Sequence, residues 1–302
     1  MKILNKYSLF LFGLIFVIET VFVVFFMALA RSINSSTFVE MPLLIAATAL
    51  ASVIASMIIV LSSPLTKHFL DTHRQLMRLE NFSHPLLVKL TKHAAGTFHH
   101  SLVVANLTHK AAREIGADAL LARVCGYYHD VGKLKNPMYF IENQNQTNPH
   151  NLLQNPLKSA QIVIGHVAEG IKLAEEYHFP KDIVDAIKQH HGTTIAYFFY
   201  ESAKLQNKAH VLDKFQYSGP KPLTVENGIL MLADAIEAKT RLEKQLTAYK
   251  IRQIVASIIN EKLEGGQLTL SGLSDRDLDK IQNSFEENLK IVFHQRINYP
   301  KK

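Results

Sequence analysis

Residues 102–131, LVVANLTHKAAREIGADALLARVCGYYHDV, decide the fold class. Leu102, Val103, Leu107, Ala111 and Ile115 recur at helical spacing, and Gly116 then supplies a residue suited to the left-handed turn that ends a helix. Asp118 stands where an N-cap belongs, so a second helix is expected from Ala119 to about Val131. The same grammar continues outward. Asn155-Pro156 offers an N-cap and a first-turn proline for a helix reaching toward Tyr177, and Pro180 with Gly192 brackets another. Thr224 opens a helix through about Leu242, a further one ends at Gly265-Gly266, and Ser274 with Asp277 three residues on begins the last. No alternating apolar pattern with hairpin turns competes, so the fold is expected to be all-α. The asparagine-rich stretch from Asn136 to Asn155 is the one long irregular connection, of the kind that carries function.

Toward the N-terminus the pattern changes. Residues 8–30, SLFLFGLIFVIETVFVVFFMALA, hold one ionisable group, Glu19, and at about 1.5 Å per residue such a helix crosses an apolar layer of about 30 Å. Residues 41–63, MPLLIAATALASVIASMIIVLSS, carry no charge and form a second span. Arg31 to Glu40 leave room only for a tight hairpin. Lys2 and Lys6 lie before it and Lys67, Arg74 and Arg78 after it, against Arg31 alone in the connection, which puts both chain ends in the cytoplasm. A signal peptide cleaved after Ala28-Leu29-Ala30 is the rival reading, and the length of the apolar run disfavours it. Ala47, Ala51 and Ala55, with Ser52 and Ser56, form a small-residue stripe suited to close packing within the hairpin, in a homo-oligomer or against a membrane partner. The expected organisation is a transmembrane hairpin over residues 1–64, a helical linker over 65–95 and a cytoplasmic domain over 96–302.

Composition agrees. Of 302 residues, 48% are hydrophobic and 20% charged, which excludes disordered and collagen-like architectures. The mean hydropathy of +0.05 is high for a soluble chain and fits a local apolar excess. A single cysteine, Cys125, excludes a disulfide-stapled scaffold and reads as a packing residue in a reducing compartment. The net charge of +7 is scattered and no aromatic-basic stripe accompanies it, so a nucleic-acid polymer is not an expected partner.

The chemistry concentrates in His100, His129-Asp130, His166, His190-His191 and Asp234, mostly near predicted helix ends. Imidazole and carboxylate are the usual ligands of borderline first-row metals, and an adjacent His-Asp pair lets a nitrogen serve one ion while the carboxylate bridges to another. Any one of these residues alone would read as an ordinary buried side chain; the set points to a dinuclear site. Gly132-Lys133 follows, giving a closely approaching backbone beside a cation suited to phosphate. The alternative role for Lys133 is to neutralise its helix end, a task for which Lys135 is available. His99 and His100 point about 100° apart on a helix, so both are not expected on the same ion. His68, His73, His84, His93, His109, His150, His178, His210 and His294 have no partner at metal spacing and read as surface or packing residues. The turn Tyr217-Ser218-Gly219-Pro220-Lys221-Pro222 presents a ring and a cation, either to a ligand or as a plain interhelical connection.

The ordered motifs GTFHHSLVVANL, YYHDVGK, FIENQ, the single His166, QHHGTT, YSGPKP and MLADAIEA resemble the HD superfamily of metal-dependent phosphohydrolases over about residues 90–300. More narrowly, the chain looks like the cytoplasmic domain of seven-transmembrane HD phosphodiesterases that degrade cyclic di-AMP. The resemblance implies an all-α HD-domain bundle, a phosphodiesterase, a cyclic dinucleotide substrate cleaved to pApA, and two divalent metals, iron or manganese. It implies that His100, His129, Asp130 and Asp234 hold one ion, and that Asp130 bridges to a second completed by His166, His190 and His191. It leaves His99 as a supporting or substrate-facing residue and puts Tyr217 and Lys221 near the nucleotide. From the chemistry of the residues themselves, Lys133, placed to neutralise phosphate charge, and the bridging Asp130 are the catalytic candidates. Upstream the chain departs from that family, which carries a large extracytoplasmic domain and further spans; a short member, a fragment and a partner of another membrane protein all remain open. Competing functions are hydrolysis of another nucleotide (a dNTP, cyclic di-GMP or an alarmone) and a catalytically silent nucleotide-binding module. Gly192-Thr193-Thr194 follows the paired histidines where a cyclic di-GMP enzyme carries GYP, and none of the ligand positions is missing.

Overall fold

A computed structural model describes Met57 and residues 71–144, 147–206, 212–243 and 245–292. The chain divides into two compact units, residues 1–74 and 75–302. Apart from Met57, both predicted spans, Glu19 included, lie outside the described residues, as do His68, His210 and His294. Among the described residues no helix is long and apolar enough to cross a membrane.

The second unit is helical, and among its described residues the only extended pairing is a single antiparallel bridge between Ile195 and Gln216. In chain order the helices are α1 Pro85–His93, α2 Ala95–Ile115, α3 Ala119–Tyr128, α4 Pro149–Leu153, α5 Pro156–Ile164, α6 His166–Glu176, α7 Lys181–Gln189, α8 Tyr197–Leu205, α9 Val225–Arg241, α10 Ala248–Glu264 and α11 Asp275–Val292. Their ends follow local chemistry. Gly116 takes the left-handed conformation that closes α2, while Asp118, Asn155 and Thr224 cap α3, α5 and α9 through their side chains. Ser274 and Asp277 exchange hydrogen bonds as a capping box before α11.

The central helix is α2, which packs along α3, α9 and α11; α3 in turn meets α7 and α9. Leu86, Leu87 and Leu90 of α1 are fully buried in this core, and Leu76 and Leu79 join it. Each such side chain contributes about 1.5–3 kcal/mol. Residues 75–95, read from sequence as part of a linker, are therefore built into the domain. A smaller cluster of Ala160, Ala203 and Phe215 joins α5, α8 and the turn at Leu212–Phe215.

Three sequence expectations need correction. The helix from Ala119 stops at Tyr128 rather than near Val131, and a 3-10 turn over Val131–Lys135 follows. The backbone at Gly132 has to pass against α6, where a Cβ would lie 1.9 Å from the His166 carbonyl oxygen and 2.4 Å from the Gly170 nitrogen. The helix expected from Pro156 to Tyr177 is interrupted at Gly165 into α5 and α6. There the His166 Nδ1 sits 2.6 Å from the Val163 carbonyl, taking an acceptor that a continuous helix would use. The stretch after Asn136 is irregular only in part: it holds short 3-10 turns at Pro137–Tyr139 and Ile141–Asn143 and then α4.

Candidate metal centre

The interruptions in the helices aim the chemistry inward. His129 caps the end of α3, His166 begins α6, and His190 caps the end of α7. Each turns its Nδ1 onto the carbonyl three residues earlier: Gly126 at 2.8 Å, Val163 at 2.6 Å and Ile187 at 2.7 Å. A carbonyl only accepts, so Nδ1 carries the proton and Nε2 presents its lone pair. His100, inside α2, reaches the same state differently, with Nδ1 facing Glu237 Oε2.

These lone pairs converge. His100 Nε2 lies 3.2 Å from His129 Nε2 and 3.1 Å from Asp234 Oδ1, and His166 Nε2 lies 3.1 Å from His190 Nε2. Asp130 stands between the pairs with its oxygens divided. Oδ2 is 3.4 Å from His100 Nε2 and 3.2 Å from His129 Nε2, while Oδ1 is 3.3 Å from His166 Nε2 and 3.8 Å from His190 Nε2. His191, half-buried, brings Nδ1 to 3.7 Å from Asp234 Oδ2. The structure thus brings all seven residues named from sequence into two groups of potential ligands, His100–His129–Asp130–Asp234 and Asp130–His166–His190–His191, sharing Asp130.

The donor set fits divalent transition metals. Both Asp130 oxygens are buried without a hydrogen-bond partner of good geometry, and opposed imidazole lone pairs at about 3 Å repel unless a cation lies between them. The same crowding of charge governs protonation. Burial disfavours a charged His129, yet the Asp130 and Asp234 carboxylates outweigh it and hold the imidazole up at about 9; His100 is likewise raised against its burial by Asp130, Asp234 and Glu237. Burial and the charges of His129 and His166 push His190 down to about 3, and burial beside His190 depresses His191. Burial would raise the two aspartates, but Lys133 and His129 hold Asp130 well below the carboxylate range, and His100 and His129 do the same for Asp234.

Lys133 is not a free cation. Its Nζ lies 2.7 Å from Asp130 Oδ2 and 2.8 Å from Glu142 Oε1, which keep the ammonium charged despite its burial. Glu142 is held by Thr97 Oγ1 at 3.0 Å, and Asn143 donates to the same threonine. Lys135 instead pairs with Glu169 at 2.5 Å on a more exposed face. Tyr217 lays its ring against His191, with centroids 4.2 Å apart, so the turn does reach the site. Lys221 brings its Nζ beside Gly266, and His99 is exposed on α2. Cys125 is buried, and burial first among several causes raises its thiol, as befits packing. His84 packs against Tyr128 and Phe179, His109 meets the Ala119 carbonyl and His150 that of Tyr139.

Sequence reasoning missed the side chains behind the ligands. Glu237 backs His100 and is itself bound by Arg241. Its signal was its place three residues after Asp234 on the same helix face; Glu142 stood within FIENQ.

Residues 97–239 match the HD domain family. The structure aligns with the crystal structure of the HD domain of the Listeria monocytogenes phosphodiesterase PgpH in complex with cyclic di-AMP, with a TM-score of 0.68 and 41% identity over 72% of this chain and all of that one. The chain belongs to this HD-domain family. The cyclic di-AMP phosphodiesterase PgpH of Bacillus subtilis is 43% identical over 228 residues, covering 75% of this chain and 32% of that protein. Its Listeria monocytogenes counterpart is 41% identical over 230 residues, 76% of this chain and 32% of that protein. The chain spans about a third of the length of these relatives. The all-helical HD architecture expected from the motifs is thus established over the domain.

Proposed function

We propose that the chain is a membrane-anchored, metal-dependent phosphodiesterase that hydrolyses cyclic di-AMP to pApA. The observation that carries the reading is Asp130, whose two oxygens face two separate sets of imidazoles. The substrate follows from the relatives named for cyclic di-AMP hydrolysis and from the PgpH HD domain solved with that nucleotide. His100, His129, Asp130 and Asp234 would hold one ion, and Asp130, His166, His190 and His191 a second, each iron or manganese. Ions held there would supply water activation at neutral pH and neutralisation of charge developing on phosphate. The chain's own part is to orient the reactants. Asp130 fixes the spacing of the two ligand groups. Lys133, pinned between Asp130 and Glu142, presents a charge-stabilising ammonium beside the phosphate. Tyr217 borders the site through His191, and His99 and Lys221 complete the nucleotide contacts.

The hairpin over residues 8–30 and 41–63 anchors the domain at the bacterial inner membrane, with the site in the cytoplasm, as the asymmetry of lysine and arginine supports. A C-terminal alkaline phosphatase fusion is then inactive and a fluorescent-protein fusion bright; the reverse pair refutes the topology. The activity is tested by incubating the purified chain and manganese or ferrous iron with cyclic di-AMP, cyclic di-GMP, dNTPs and alarmones, with products identified by chromatography. Release of pApA from cyclic di-AMP alone is the expected outcome. Turnover of another nucleotide in preference reassigns the substrate, and no turnover of any makes the domain a binding module.

A further inference from the structure

His190 and His191 sit where α7 ends and a loop begins, a place where a helix frays. The residue before the pair and the second residue after it are each tied to a distant part of the chain by a buried glutamine. Gln189 accepts, at one Oε1, the Asn227 Nδ2–H at 2.9 Å and the Leu223 N–H at 2.9 Å. Gln267, from the turn after α10, accepts the Thr193 N–H at 3.0 Å, and its Nε2 donates to Thr193 Oγ1 at 3.0 Å. Between these attachments lie only the two histidines and Gly192, whose φ of +53° is open to glycine; a Cβ there would fall 2.4 Å from Gln267 Oε1 and 2.8 Å from Met231 Cε. The anchors are themselves well placed. Asn227 belongs to α9, the helix that carries Asp234, and Thr193 also receives Gln216 Nε2 on its carbonyl at 2.8 Å.

In the other ligand group only His129 and Asp130 follow a helix end, while His100 and Asp234 lie within long helices. Metal–ligand distances tolerate only about 0.2 Å, so two imidazoles at a helix end need their backbone held on both sides. We propose that Gln189 and Gln267 are positioning residues that clamp the His190–His191 backbone in the orientation that ligates the second ion. The proposal rests on the dinuclear reading above.

The test titrates the metal-stripped full chain in detergent with manganese alone, by calorimetry, and measures the unfolding temperature of each metal-free protein. Gln267→Met removes the Thr193 bonds at similar side-chain length, and Gln267→Glu restores the acceptor. Thr108→Val is the control, since it deletes a buried hydroxyl that bridges the Ala105 and Ala122 carbonyls away from the clamp. Gln267→Met is expected to weaken one of two manganese sites about tenfold or more while sparing the other, Gln267→Glu to recover most of that affinity, and Thr108→Val to lower only the unfolding temperature. Should Gln267→Met fail to fold, Gln267→Asn carries the same expectation. Two unchanged affinities in the clamp variant, or equal weakening of both sites there and in Thr108→Val, overturn the clamp alone. A wild-type chain that binds fewer than two manganese ions overturns the dinuclear reading and the clamp with it.

Discussion

The two halves of the cluster share Asp130 and differ in almost everything else. The His100–His129–Asp130–Asp234 half offers two carboxylates and is backed by Glu237, itself bound by Arg241. The Asp130–His166–His190–His191 half is rich in imidazole, and two of its rings are backed by backbone carbonyls. Without metal the first half attracts protons and the second rejects them, as the opposite directions at His129 and His190 record. Its anionic ligands, with His100 and Asp234 inside long helices, are expected to make the first half the tighter cation site, and the second is expected to depend more on backbone held by neighbouring segments.

The largest effect expected is at the shared residue. Asp130→Ala should empty both halves and lower turnover by on the order of 10³ or more, and metal analysis showing one full equivalent retained would break the symmetry of the bridge. Next is Lys133→Met, expected to leave the metal count intact while turnover falls on the order of 10²–10³, with Lys135→Met near normal. Near-normal turnover in the first variant would return Lys133 to a purely structural role with Glu142. A finer cut is His166→Ala, which should retain one equivalent of metal, held by the acidic half at close to its original affinity. Loss of both ions would show that the halves bind only together.

The pH response sets the halves against each other. His190 and His191 are depressed below the ordinary value of 6.5, so the unfolded chain binds more protons there and stability falls as pH drops below about 6.5, for His190 down to about 3. His100 and His129 are raised, so their stabilisation is complete below about 6.5 and is lost as pH rises above it, for His129 through about 9. The unfolding temperature of metal-free protein should peak near the crossover, and metal loading should remove the alkaline decline because bound imidazole must be neutral. An alkaline arm that persists unchanged with metal would place its cause elsewhere. The smallest effect serves as a baseline: Ser274→Ala, far along the chain at the α11 cap, should cost about 1 kcal/mol in denaturant unfolding and leave turnover unaltered.

Helix positions were legible wherever a cap or a stop is chemically distinct, as at Gly116, Asp118, Asn155, Thr224 and Ser274. The ligands were legible because histidine and aspartate at helix ends stand out against an apolar background. The break at Gly165 was not, since that glycine keeps ordinary helical angles and the interruption comes from the His166 ring taking a carbonyl. The early end of α3 was not either, because the obstacle at Gly132 belongs to α6.

By itself, the sequence determined the helical class, the seven potential ligands and their grouping by resemblance, because these depend on residue type and on spacing along one chain. Only the tertiary structure decided that Asp130 divides its two oxygens between the ligand groups, that Glu142 pins Lys133, that Glu237 backs His100 and that Gln267 reaches Thr193. Gln267 and Thr193 are 74 residues apart, and His100 and Glu237 are 137 apart. Contacts of that kind are set by how helices pack, and packing depends on the summed shape of many side chains rather than on any local pattern.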